Sequence, residues 1–65
     1  MIINIYGLVG HAGRYQMPMD ELEVSDLETG EEFIFNGRVY EIRSVHHMDD
    51  MVFINVNLMV HHAVG

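Results

Sequence analysis

Asn36-Gly37, set between Phe33-Ile34-Phe35 and Arg38-Val39-Tyr40, most narrows what this chain can fold into. A two-residue turn follows the natural twist of its flanking strands only when its central residues take positive φ, and Asn-Gly does so at low cost. The turn then dictates the pairing: Phe35 opposite Arg38, Ile34 opposite Val39, Phe33 opposite Tyr40, and Glu32 opposite Glu41. One face of this hairpin carries Phe33, Phe35, Tyr40 and Ile42. Cross-strand aromatic pairs of this kind contribute about 0.2–1 kcal/mol each over alanine. The other face sets Glu32 against Glu41, a like-charge contact suited only to water.

The remaining apolar runs are short, rich in Ile and Val, and divided by Gly, Asn and Asp, which is the pattern of strands. Residues 2–9 are expected as the first strand. Residues 10–19, with Gly10, Gly13 and Pro18, are expected as a loop. Residues 21–24 are expected as a second strand, with a short helical turn within 20–27 as the alternative, because Asp20 and Glu23 have capping-box spacing. Residues 51–60 form a return strand with Val52, Ile54, Val56, Leu58 and Val60 on one face and Met51, Phe53, Asn55, Asn57 and Met59 on the other. Pairing Ser44 with Val52, Ile42 with Ile54 and Tyr40 with Val56 gathers the apolar groups on one side and leaves residues 46–50 as the connecting loop. A slip of one residue inverts every side chain, so the apolar pattern selects register.

The expected fold is therefore all-β: one domain over residues 1–65, a small antiparallel sheet or partly closed barrel of four to five strands. The run Asp26-Leu27-x-x-Gly30-x-x-Phe33-x-Phe35-Asn36-Gly37-x-x-Tyr40-x-Ile42-x-x-Val45 resembles hairpins of SH3-like barrels, which implies a barrel and carries no function.

Charge limits the partners. Seven of the ten carboxylates fall between Asp20 and Glu32, there is no lysine, and only Arg14, Arg38 and Arg43 oppose them, for a formal net charge of -7 on 65 residues. Such a surface repels phosphate backbones and anionic lipid and attracts basic protein surfaces. Neither nucleic acid nor a membrane is an expected partner. Nucleic-acid-binding barrels need a basic groove with stacking aromatics, and no apolar run approaches the roughly 18 residues of a spanning helix. The first residues, Met1-Ile2-Ile3-Asn4-Ile5-Tyr6, lack the positive segment of a signal peptide. A cytoplasmic location is expected, in a host cell if the source is viral.

Catalysis is not expected, and no cofactor is. The chain has no cysteine, and Ser25, Ser44 and Thr29 are its only aliphatic hydroxyls. None has the neighbouring base and orienting group that nucleophilic chemistry requires. His46, His47, Asp49 and Asp50 are dense enough to be candidate metal ligands, since zinc takes imidazole and carboxylate. Adjacent residues on a strand point to opposite sides, however, and His61-His62 falls about 30 Å away along an extended return strand.

Two surfaces remain as candidates for recognition. Asp20, Glu21, Glu23, Asp26, Glu28, Glu31 and Glu32 offer a carboxylate array, with Met17 and Met19 as an adaptable apolar handle beside it. Met51, Phe53, Met59, Ile34, Val39 and Val45 share the second face of the sheet, and an apolar face of that extent calls for a cover, either residues 2–9 or another copy of the chain. The leading expectation is a homo-oligomeric interaction module. It would bind another protein with a basic surface, inhibiting or regulating it as a decoy for phosphate. The alternatives are a structural or assembly subunit and a His/Asp metal-dependent binding domain. In composition the chain resembles accessory proteins of tailed bacteriophages, including inhibitors of host defence or of nucleic-acid enzymes.

Overall fold

The computed structural model describes residues 1–60 except 23, 25 and 26. Five strands, β1 (Ile2–Tyr6), β2 (Arg14–Pro18), β3 (Glu32–Phe35), β4 (Arg38–Met48) and β5 (Met51–Leu58), form one sheet. Their order is β2-β1-β5-β4-β3, and the sheet curls into a half-barrel. The fold is all-β, as the strand patterns require. One pair departs from the antiparallel scheme: β1 lies parallel to β5, with Ile3 beside Val52 and Ile5 beside Ile54.

The Asn-Gly hairpin forms in the expected register, with Glu32–Glu41, Phe33–Tyr40, Ile34–Val39 and Phe35–Arg38 all opposed. Asn36 and Gly37 take φ of 50° and 74°, the positive values the turn demands. The second hairpin corrects the expected register. Residues 46–48 are strand rather than loop, and the turn is the two residues Asp49-Asp50. Ile42 faces Val56 and Tyr40 faces Leu58, two residues further along β5 than expected. Beyond a bulge Ser44 faces Asn55 and Val45 faces Ile54.

The physical reason is a conflict between turn and core. A two-residue turn closed by Met48 and Met51, extended without interruption, would set Ile42 against Asn57 and turn Ile42 away from the aliphatic row. Arg43 enters as the extra residue of the bulge, and Ile42 meets Val56 instead. Bulges insert one residue and bend the strand locally. This one also swings Val45 to the inner side, where it packs against the core. Val45 therefore does not share a face with Ile34 and Val39.

Residues 10–19 are corrected as well. Arg14–Pro18 is strand β2, paired antiparallel with β1 from Tyr6–Arg14 to Ile2–Pro18. Pro18 is tolerated because it ends an edge strand, where a missing N–H costs least. Residues 2–9 shorten to Ile2–Tyr6 and extend the sheet edge-on instead of covering its second face. The expected strand at residues 21–24 is not formed: Glu21 closes a single 3-10 turn, Met19–Glu21, pinned by the Leu22 N–H donating to the Met19 carbonyl at 3.1 Å.

The core fills the concave side. Ile3, Ile5, Tyr40, Ile42, Val52 and Ile54 are almost wholly buried, with Leu8, Leu22, Phe33 and Val56 around them. Tyr40 stacks on Phe33 at 5.8 Å between ring centroids, and its hydroxyl oxygen accepts the Val9 N–H at 3.2 Å. At one end of the barrel the two edge strands meet through side chains, Tyr15 of β2 against Phe35 of β3 at 5.3 Å, edge to face. Edge-to-face contact of aromatic rings stabilises by about 0.5–1.5 kcal/mol beyond area burial. Gly7, at φ 103°, lies against β5 so closely that a Cβ would collide with the Val56 carbonyl oxygen.

Candidate functional site

The acidic segment runs from β2 to β3, the two opposite edges of the sheet, and so crosses the open side of the half-barrel. Its apolar residues hold it there: Leu22 is buried in the core, and Met19, Val24 and Leu27 pack against it. The carboxylates are left facing solvent. Asp20, Glu21, Glu28 and Glu32 are exposed and Glu31 half-exposed; Glu23 and Asp26 lie outside the described residues. The segment is an acidic strap on an apolar underside. Its end is tied into the sheet, since Gly30 N–H donates to the Ile42 carbonyl and Ile42 N–H to the Glu31 carbonyl, both at 2.8 Å.

Among the described residues no arginine pairs with a carboxylate of the strap. The ion pair found among the described residues joins Arg43 to Glu41 at 3.6 Å. With both side chains solvated it contributes about 0–1 kcal/mol. Met17 and Met19 are half-buried against the core, so they act first as its lid. Met19 also lines a groove at the rim of the sheet, with Met1, Ile2, Pro18, Asp20, Leu22 and Val24.

The convex face is chemically different. On β5 it presents Met51, Phe53, Asn55 and Asn57, the residues alternating with the buried Val52, Ile54 and Val56. Beyond the bulge β4 adds Ser44, His46 and Met48, of which Ser44 and His46 lie opposite Asn55 and Phe53. On the other flank β1 adds Ile2, Asn4 and Tyr6, and β2 adds Arg14, Gln16 and Pro18. None of these residues is acidic. Tyr6, His46, Met48, Phe53 and Asn55 line a shallow groove of about 370 Å³, and the Asn55 amide donates to the Ser44 hydroxyl at 2.8 Å. Ile34, Val39 and Met59 lie toward the opposite end of the sheet, beside Glu32 and Glu41, with Ile34 67% exposed. Of the six residues expected on this face, the structure keeps five and moves Val45 inside.

Sequence patterning missed Tyr6, His46 and Met48 as members of this face. Tyr6 arrives through the parallel β1–β5 pairing, for which the chain carries no local marker. His46 and Met48 arrive because the strand continues to the two-residue turn. Asn4 was missed too. It is fully buried, its amide donates to the Val52 carbonyl at 3.3 Å, and its Oδ1 has no hydrogen-bond partner among the described residues.

The candidate metal ligands are not brought together. His46 and His47 oppose Phe53 and Val52 on opposite sides of β4, and among the described residues no three His, Asp or Glu side chains converge as a metal would need. His61 and His62 lie outside the described residues. Among the described residues no helix is long and apolar enough to cross a membrane.

Comparison with protein families, characterised proteins and solved structures finds no match for this chain.

Proposed function

We propose that this chain is a small, non-enzymatic interaction module that binds a basic surface on another protein through its acidic strap and so inhibits or regulates that protein. The observation that carries this reading is the construction of the strap: Leu22 is anchored in the core while Asp20, Glu21, Glu28 and Glu32 stand exposed, with no ion-pair partner among the described residues. Carboxylates held on an anchored backbone select a cationic partner and speed the encounter with it. A nucleic-acid-binding protein is the partner whose chemistry fits best, because a row of carboxylates competes with phosphate for the same arginines and lysines. This is the mode of action of a host-takeover protein in a host cytoplasm, in keeping with the compositional likeness to phage accessory proteins. No cofactor is required.

Affinity capture from a bacterial lysate tests the proposal. At about 50 mM salt the chain should retain a basic protein that about 500 mM salt releases, since exposed charges are screened over a few ångströms at the higher value. A variant with Asp20→Asn, Glu21→Gln and Glu23→Gln should lose it. Retention of the same protein by the variant, or retention unaffected by salt, would refute the reading.

A second reading, a structural or assembly subunit, is favoured by one observation, the apolar groove on the convex face. It differs in outcome: light scattering should then find growth without a fixed stoichiometry, where a regulator stays small.

A further inference from the structure

We propose that the convex face of the sheet is the contact surface for a second copy of this chain, joined as an isologous dimer with the two sheets face to face. Charge is missing from much of this face. Ten carboxylates are distributed over 65 residues, yet none lies on the outer surface of β1, β2, β5 or the part of β4 beyond the bulge. The same surface holds the groove of Tyr6, His46, Met48, Phe53 and Asn55, and Met48 is 60% exposed.

Two chains of net charge -7 repel each other at nearly every relative orientation. Contact through the acid-free half of the convex face, formed by β1, β2, β5 and β4 beyond the bulge, keeps Asp20, Glu21 and Glu28 of both straps outside and leaves Glu32 and Glu41 at its margin. Sheets pack this way about 10 Å apart, with side chains of the two facing surfaces interdigitating. A two-fold axis lets the same patch serve both partners.

Other occupants fit the chemistry less well. A polyanion would find one arginine, Arg14, and an otherwise repulsive molecule. A basic protein would be drawn to the strap, on the other side. The dimer does not depend on the proposed strap partner, but it deepens that reading: it would display two straps pointing apart, which raises avidity for a partner that repeats its basic site.

Sedimentation equilibrium of the full chain, from about 5 to about 500 μM, is the test, since a small wet interface of this kind is expected to dissociate in the micromolar range. The expected result is a shift from the 7.5 kDa chain mass to twice that value, stronger at high salt, where self-repulsion is screened. Met48→Glu and His46→Glu, each at an exposed position, should keep the chain monomeric throughout, with the melting temperature of the wild type at its most dilute, where both are monomers. Asp20→Asn with Glu21→Gln should leave the dimer intact or tighten it. A wild-type chain monomeric at every concentration, a Met48→Glu chain that dimerises as well as wild type, or association that passes the dimer and grows without limit would each overturn the proposal.

Discussion

The two sides of the half-barrel use apolar residues in opposite ways. On the strap side they point inward, Leu22 into the core with Met19, Val24 and Leu27 against it, and carboxylates take the outside. On the convex side the core residues already lie beneath the sheet, and Tyr6, Met48 and Phe53 face out around a groove that holds no acid. The strap therefore combines two jobs in one segment, closing the core and carrying charge, and these are separable by mutation. The convex face contributes little to closing the chain's own core, so changes there act mainly on what it meets.

The largest effect is expected from the strap's anchor. Leu22→Ala should cost about 2–4 kcal/mol, the usual range for a buried leucine truncated in place, measured by urea unfolding. A loss below about 0.5 kcal/mol, the scatter of ordinary surface changes, would mean that the strap lies on the core without closing it.

A smaller gain is expected at Asn4, on the convex side. Its buried Oδ1 lacks a partner among the described residues, and an unsatisfied buried acceptor costs about 1–3 kcal/mol. Asn4→Val, which suits a central strand, should raise stability by about 1 kcal/mol. A clear loss would instead show that the amide is satisfied and holds β1 to β5.

The smallest change in stability is expected where charge alone is altered. Asp20→Asn, Glu21→Gln, Glu28→Gln and Glu32→Gln together should leave the unfolding free energy within about 0.5 kcal/mol, or raise it slightly by relieving like-charge repulsion. Marked destabilisation would contradict the division of labour within the strap.

The two hairpins show how much of this was legible beforehand. In the first, the turn chemistry of Asn36-Gly37 and the apolar alternation of Phe33, Phe35, Tyr40 and Ile42 demand the same register, and the observed pairs match the reading residue for residue. In the second the two signals disagree. The aliphatic row of β5 requires Ile42 opposite one of its members, while a turn at Asp49-Asp50 requires the opposite parity; the bulge at Arg43 satisfies both. Asp49 takes φ 54°, a conformation aspartate reaches more readily than most residues, but Asp-Asp is no turn signature, and a five-residue loop fitted the apolar pattern equally well.

β2 was hidden by its neighbours. Tyr15 and Met17 alternate with Arg14 and Gln16 as a half-buried strand should, but Gly13 and Pro18 bracket them and suggested a loop. The inward and outward sets on β5 were readable from period two alone. The absence of acid from the half of the convex face around Tyr6, Met48 and Phe53 was not, because it emerges only when β1 is laid parallel to β5 and β4 is extended to Met48. Likewise the acidic run was plain in the sequence, whereas its role as a cover followed only from the order β2-β1-β5-β4-β3, which leaves its two ends on opposite edges.

Recognition of a cationic protein by the anchored strap is the proposal on which the rest depends. The rate of association with the captured partner, measured against ionic strength, addresses it most directly. Between about 50 and about 500 mM salt the wild-type rate constant should fall by about tenfold or more, as for electrostatically steered encounters. The chain carrying Asp20→Asn, Glu21→Gln, Glu28→Gln and Glu32→Gln should associate slowly and with little salt dependence. Equal rates for the two chains across that range would contradict the account.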